Sequence, residues 1–187
     1  MKYVLIILSL LTTTSYGQGD LINQREKERL EIEKKSEVEK SKIIVLVKVK
    51  GQSELKIVIN ENWPRDIETT YNILKNEQGQ IIYVGEFPIS ESGDWNLELM
   101  HYFSQNGQLI AFEKRLSYFN EECTDGAVDE TVIELYDSNF KVIKLTKKQT
   151  DNEGKELKVN YCEHGYDWTF EKRPTVKEFA NLKKIRV

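Results

Sequence analysis

The sequence predicts a mainly β fold: an antiparallel meander of about six to eight strands, preceded by a charged helix and followed by a short helix. Two observations predict it. Between residues 43 and 149, short runs of β-branched, aromatic and other apolar residues recur, several of them alternating with polar residues, and turn residues separate them. The flanking segments 20–42 and 175–184 contain many helix formers and neither Gly nor Pro.

The first residues have the pattern of a secretory signal peptide. Lys2 precedes an apolar run at residues 3–11, and small residues lie just before Gln18. The apolar run is far shorter than the roughly 20 residues that cross a bilayer. We therefore expect a bacterial protein that is cleaved after Gly17, retains no transmembrane segment, and is periplasmic or secreted.

Residues 18–42 are predicted to form a charged helical spacer. Glu, Lys and Arg dominate, and Glu31 and Lys35 have the i,i+4 order that supports a helix. The apolar residues do not recur at helical spacing, and a helix without an apolar face has little to pack against. We expect a solvated helix, with a partner-binding or coiled-coil arm as the alternative, ahead of a single globular domain at residues 43–187.

Within that domain, runs of β-formers predict successive hairpins. The first joins residues 43–50 to residues 54–60 through Gly51, although continuation of the upstream helix is the alternative for residues 43–47. Pro174 precedes the predicted terminal helix at 175–184. The remaining strands are predicted at residues 66–73, 80–87, 94–103, 108–119, 131–137 and 140–149.

A loose internal repetition marks the turns. An apolar or aromatic residue, a polar turn and an apolar pair follow one another in LKNEQGQII (74–82), YFSQNGQLI (102–110), YDSNFKVI (136–143) and, more faintly, TDNEGKEL (150–157). Asn106-Gly107 is the strongest hairpin signal, because both residues tolerate the positive φ of a type I′ turn. The repetition predicts hairpins joined by tight turns and does not identify a family.

Cys123 and Cys162 are predicted to form a disulfide. An even number of cysteines in an exported chain favours pairing. The bond would close a loop of about 40 residues. By reducing the entropy of the unfolded chain, it would stabilise the fold by about 4 kcal/mol. Two unpaired thiols are the alternative.

The composition and motifs assign no catalytic, cofactor-binding or metal-binding residue. The chain has 27 Lys and Arg against 31 Asp and Glu and no basic stripe, so nucleic-acid binding is not expected. Only His101 and His164 could serve a histidine-dependent nucleophile, and His101 is grouped by strand alternation with Trp95 and Leu97. It is expected to be structural, and the chain has no G-x-S-x-G elbow.

Three segments contain potential metal ligands, and each is expected to be structural instead. Glu98 and His101 would point to opposite faces of a strand. Cys162 and His164 offer two ligands where a structural zinc site usually has four. Residues 120–130 are acidic but lack the spacing of a calcium loop, so a solvated loop is expected. Paired carboxylates of a glycosidase cannot be recognised from sequence, because their separation is a property of the fold.

These observations favour a non-catalytic secreted or periplasmic protein that acts as a binding or structural module, with an unknown protein or glycan as partner. The alternatives are a small secreted hydrolase with an unidentified site, and an inhibitor or immunity-like module that binds a protein. Aromatic residues on the predicted strands are expected to be mostly core, with a subset as candidates for a sugar- or peptide-binding platform: Tyr83, Trp95, Tyr102, Tyr118 and Tyr136.

Overall fold

A computed structural model describes residues 13–158, 162–166 and 168–186. Helix α1 spans Thr13–Val38 and is followed by a 3₁₀ turn at Lys40–Lys42, and helix α2 spans Val176–Lys183. Between them lie eight strands: β1 (Ile44–Val49), β2 (Lys56–Ile57), β3 (Ile67–Lys75), β4 (Ile81–Pro88), β5 (Trp95–Phe103), β6 (Leu109–Phe119), β7 (Ala127–Tyr136) and β8 (Val142–Asp151). The predicted fold class is confirmed. Residues 1–12 of the predicted signal peptide lie outside the described residues, and export stays a prediction.

All eight strands belong to one antiparallel sheet, in the order β2-β1-β3-β4-β5-β6-β7-β8. The first predicted hairpin is confirmed, because Leu46 of β1 pairs with Ile57 of β2. On its other side β1 pairs with β3, where Leu46 lies opposite Tyr71. The short β2 is therefore an edge strand, and the regular meander begins at β3.

The repeated turns share one geometry. In the β3–β4 turn, the N–H of Asn76 donates to the carbonyl of Gln80, and the N–H of Gly79 donates to the carbonyl of Asn76. The side-chain Oδ1 of Asn76 also accepts from the N–H groups of Gln78 and Gln80. The same backbone pattern closes the turns at residues 104–108, 137–141 and 151–155, so the sequence repetition marks one recurring loop.

The predicted type I′ turn at Asn106-Gly107 is wrong in its type. Within this turn only Gly107 has a positive φ, at 79°. The backbone hydrogen bonds describe a three-residue loop with a bulge, which needs a left-handed conformation at a single residue. The pairing register shifts between Tyr102 and Phe103, at the end of β5 beside this turn.

Along each strand, side chains point alternately to the two faces of the sheet, and other parts of the chain cover both faces. The face under residues 162–166 and 168–186, called here the C-terminal face, includes Leu97, Leu99 and Phe112. The face under α1, called here the helix face, includes Met100 and Tyr102. The domain thus has α1, the sheet and the C-terminal segment as three successive layers.

Helix α1 is not the solvated spacer that the sequence predicts. Arg29 is 5% exposed, and its Nη1 donates to Glu113 Oε2 of β6 at 2.9 Å. Arg25 donates from Nε to the carbonyl of Tyr136 at 3.2 Å, and Ile22 and Ile32 pack on the helix face. The helix docks mainly through buried charge pairs, which a search for an apolar stripe does not detect.

Helix α2 is confirmed at the predicted position. Thr175 caps it by accepting the N–H of Glu178 on its hydroxyl at 3.2 Å, and Lys184 ends it in the left-handed conformation. Phe179 is fully buried on the C-terminal face. The helix therefore anchors the last part of the C-terminal segment over the sheet.

Candidate functional site

A groove of about 590 Å³ lies where β3, β4 and β5 meet the C-terminal segment. This volume is within the range of about 300–1,000 Å³ that is usual for small-molecule sites. Its polar side chains include those of Tyr71, Glu86 and Lys183, and its apolar walls come from Leu97, Leu99, Trp168 and Phe170.

Glu86 is the most unusual residue of the groove. It lies on β4, paired with Tyr71 of β3 and Leu99 of β5, and is 6% exposed. Its Oε1 accepts from Lys183 Nζ at 2.6 Å and from the Tyr71 hydroxyl at 3.4 Å. Its Oε2 is buried and has no hydrogen-bond partner within the part of the chain that the structure describes.

An unsatisfied acceptor of this kind destabilises the folded protein. A buried polar group without a partner costs about 1–3 kcal/mol, and more when it is charged. Native proteins rarely carry such groups without a reason. Lys183 already balances the charge of Glu86, so what Oε2 lacks is a hydrogen-bond donor.

The Tyr71 hydroxyl beside Glu86 is fixed in its donor form. Burial first, and then the neighbouring Glu86 carboxylate, raise the pKa of Tyr71 well above its ordinary value. The Tyr71 hydroxyl therefore stays protonated and donates. Glu86 Oε1 is thus occupied from two sides, whereas Oε2 has no donor among the described residues.

The aromatic wall is held in place by its own packing. Trp168 meets Trp95 edge-on, with ring centroids 5.3 Å apart, and stacks on Tyr166 at 4.9 Å. Phe170 stacks on Phe112 of β6 at 5.5 Å. These contacts fix the rings before any ligand arrives, so the groove is largely preformed.

A second cavity, of about 670 Å³, lies between α1 and the turn at residues 104–108. Arg25 and Glu28 on its wall already form an ion pair at 2.8 Å. Among the described residues that line it, none carries a buried polar atom without a partner. It offers a ligand no unsatisfied group, so the groove at Glu86 is the stronger candidate.

His101 is a core residue, as the strand alternation predicts. It is fully buried, with its ring centroid 4.2 Å from that of Phe179 and 5.1 Å from that of Phe112. Neither ring nitrogen has a hydrogen-bond partner among the described residues. Burial, with smaller contributions from the cations Lys183 and Lys172, lowers the pKa of His101 to about 3, so the ring is neutral.

The other sequence-predicted metal candidates do not converge. Glu98 pairs across the sheet with Arg115 and lies on the helix face, opposite to His101. His164 is half-buried, with its ring against Tyr118 and Trp168 at 5.2 and 5.1 Å. Within the described ranges, no group of three or more His, Cys, Asp and Glu is arranged to hold a metal ion.

The prediction that the strand aromatics are mostly core residues is confirmed. Four of the five candidates for an exposed platform are buried, namely Tyr83, Tyr102, Tyr118 and Tyr136. They are core residues because strand alternation turns them towards α1 or the C-terminal segment. The aromatic residues that do line the groove, Trp168 and Phe170, come from an irregular segment without periodicity, so the sequence pattern did not single them out.

The acidic segment 120–130 is only partly a loop. Strand β7 begins at Ala127, and Glu130 is 3% exposed, with Lys114 and Lys147 at 2.7 and 3.0 Å. Burial alone would raise the pKa of Glu130, but hydrogen bonds from these two lysines hold it below its usual value. The expected solvated loop is therefore wrong for Glu130. Its burial depends on lysines that the neighbouring strands place beside it, and the acidic composition of the segment does not indicate them.

Cys123 and Cys162 are both thiols in the structure, so the predicted disulfide is not formed there. The two side chains nevertheless form a hydrogen bond. Burial first, and then this contact, raise the pKa of Cys162 to about 12. The Cys162 carbonyl accepts from the Tyr118 hydroxyl at 2.9 Å and from Gln149 Nε2 at 3.0 Å, which fixes the pair beside the sheet.

Comparison of the chain with protein-family models, with curated proteins and with solved structures finds no match. Neither helix, over the residues that are described, combines the length and the apolar character needed to cross a membrane.

Proposed function

We propose that the protein is an exported, non-catalytic binding protein that holds a small ligand in the groove at Glu86. The observation that carries the proposal is the buried Glu86 carboxylate, whose Oε2 has no donor among the described residues and which lines a preformed groove. A ligand that donates a hydrogen bond to Oε2 would satisfy it. The signal-peptide pattern supports export.

The groove favours binding over hydrolysis. Of the described residues that line it, Glu86 is the one carboxylate, and none is a histidine or a cysteine. Glycoside hydrolysis commonly uses two carboxyl groups, and activation of a serine or threonine needs a neighbouring base. Glu86 is engaged with Lys183 and Tyr71, an arrangement suited to holding a ligand in place.

The cysteine pair supports this arrangement in the exported protein. We propose that Cys123 and Cys162 form a disulfide there by exchange with a small disulfide such as oxidised glutathione. The two thiols lose their protons, one S–S bond forms, and the reagent is reduced to two thiols. The bond would tie the loop after β6 to the start of the C-terminal segment, which carries the aromatic wall.

Mass spectrometry after treatment with oxidised glutathione tests the disulfide. We expect the loss of two hydrogens and a cross-linked peptide pair, with stabilisation of about 4 kcal/mol. The variant Cys123→Ser is the control, since it cannot form the bond. Glutathione adducts on two separate thiols would contradict the pairing.

The binding site is tested by two-dimensional ¹H–¹⁵N NMR of the mature chain, titrated with three probes: methyl β-glucoside, butylamine and butyrate. We expect at least one probe to shift the Trp168 indole and the Thr169 amide, while the exposed turn at residues 76–80 stays unchanged. If all three probes leave the groove signals unchanged up to their solubility limits, or shift only signals elsewhere, the proposal is wrong.

A further inference from the structure

We infer that the ligand of the groove is a neutral ring that carries hydroxyl groups, as a pyranose sugar does. The inference rests on the proposed function and names the ligand class of the same site. Three features of the groove carry it: its charge balance, its combination of apolar walls with a polar rim, and the acceptor Glu86 Oε2.

The charge balance disfavours a cation. Lys183 lies 2.6 Å from Glu86 and compensates its charge. Lys48, which also lines the groove, is paired with Glu68 at 3.0 Å, whereas Lys184 adds a further cation to the lining. A cationic ligand would meet these lysines, and an anionic group such as a carboxylate has no proton to donate to Glu86 Oε2. A neutral hydroxyl donates to the carboxylate without adding charge.

The walls and the rim match the two sides of a sugar ring. One wall of the groove is an apolar surface against which the C–H face of a pyranose can pack. It is formed by Leu97, Leu99, Trp168 and Phe170. Short polar side chains at the edge of the groove can exchange hydrogen bonds with ring hydroxyls; they are Gln52, Ser53, Thr69 and Thr169. The groove volume of about 590 Å³ suits a small ligand rather than a protein surface.

The test is a titration of the mature protein followed by tryptophan fluorescence and calorimetry, since Trp168 lines the groove. The sugar probes are methyl α-glucoside, methyl β-glucoside, cellobiose and maltose, and the comparison probes are butylamine and butyrate. We expect saturable binding of at least one sugar. Glu86→Gln should weaken it at least about tenfold, because the amide replaces one carboxylate oxygen while preserving volume.

Two further variants keep the test decisive. Glu91→Gln is the matched control: it removes one carboxylate, but Glu91 is exposed and pairs with Lys50 outside the groove, so sugar affinity should not change. Thr169→Tyr fills the groove from an exposed position and should abolish binding, even if Glu86→Gln fails to fold.

The outcomes separate this inference from the proposed function. Binding of butylamine or butyrate in the groove without any sugar overturns the sugar inference and leaves a binding protein. Sugar binding that neither Glu86→Gln nor Thr169→Tyr weakens overturns the inference, because the sugar then binds elsewhere. If no probe binds in the groove, both the inference and the proposed function are wrong.

Discussion

At the scale of single residues, burial decides which titratable groups can act. His101 would be the natural candidate for catalysis by residue type, yet it is fully buried among Phe rings and neutral. Glu86 is one of many acidic residues in the sequence, yet it alone combines deep burial with a partnerless oxygen on the groove wall among the described residues. The identity of a residue therefore says less about its role than the groups around it.

His101 should make the protein sensitive to acid. The pKa is about 3 in the fold and about 6.5 in the unfolded chain, so between these values the unfolded state binds the extra proton. Above pH 6.5 the neutral His101 leaves the free energy of unfolding unaffected. As the pH falls below 6.5, His101 lowers the free energy of unfolding by about 1.4 kcal/mol per pH unit. His101→Leu should remove this slope and leave stability at pH 7 nearly unchanged, because the ring has no described hydrogen-bond partner to lose.

Urea unfolding at pH 7 and pH 5 measures the effect, with His164→Gln as the control. His164 is half-buried, and we expect that variant to retain the slope of the wild type. Equal slopes for wild type and His101→Leu would show that His101 takes up its proton in the folded state. Neither variant should lose ligand binding.

Gly107 tests the turn geometry. Its φ of 79° is unfavourable for a β-branched residue, and a Cβ there would lie 3.1 Å from Val176 Cγ1. Gly107→Val should therefore lower the free energy of unfolding by at least about 1 kcal/mol. Gly79→Val is a matched control, since Gly79 also has φ 79° but nothing lies within 4 Å of its added Cβ.

Thermal or urea unfolding of the two glycine variants separates backbone strain from the contact with α2. Both should be destabilised, and Gly107→Val more so than Gly79→Val. A Gly107→Val protein as stable as the wild type would mean that the β5–β6 turn is not the three-residue loop described above.

At the scale of elements, the docking of α1 depends on charges. Arg29 lies within 3.0 Å of Glu26, Glu33 and Glu113, and Glu113 is 2% exposed. Arg29→Met removes one of the cationic partners of Glu113 and should lower the free energy of unfolding by about 3 kcal/mol. Lys27→Met is the control, because the Lys27 side chain is 78% exposed and should contribute little.

Urea unfolding of these variants decides how α1 is held. Adding Glu113→Met to Arg29→Met should recover part of the loss, since the buried carboxylate that has lost its Arg29 partner and retains only Arg115 is then gone. If Arg29→Met and Lys27→Met unfold alike, the helix is the solvated spacer that the sequence pattern indicates.

The sequence predicted the elements better than their contacts. Strands β3 to β6 follow from runs of β-formers between turn residues, and in β3 and β5 also from the alternation of apolar and polar residues. The start of β7 was missed because Asp129 and Glu130 resemble an acidic loop, although Glu130 is buried between two lysines. The turn type was missed because φ at Asn106 depends on loop length, which an Asn-Gly pair alone does not determine.

At the scale of the whole molecule, the groove could not be predicted from any local pattern. Tyr71 and Glu86 come from neighbouring strands, whereas Trp168 and Lys183 come from the far end of the chain. Each has an ordinary sequence context, and only the folding of the C-terminal segment over the sheet brings them together. Alternation can predict which face a residue occupies, but not which distant segment covers it.

Export, which we propose from the signal-peptide pattern, concerns the whole chain. Cleavage after Gly17 would leave the docking residues of α1, including Arg25 and Arg29, in the mature protein. We expect an intact mass that corresponds to residues 18–187 for protein recovered from the periplasm or the medium. A chain that retains residues 1–17 would contradict export and remove the oxidising compartment on which the disulfide depends.

The central claim is that the groove at Glu86 is the ligand site, and its most direct test is intermolecular NOEs between the isotopically labelled mature protein and the probe that binds most tightly in the titrations above. We expect NOEs from the protons of that probe to the Trp168 indole and to the methyl groups of Leu97 and Leu99. NOEs to Ile82 and Ile110, which line the cavity under α1, or an absence of NOEs to the groove, would contradict it.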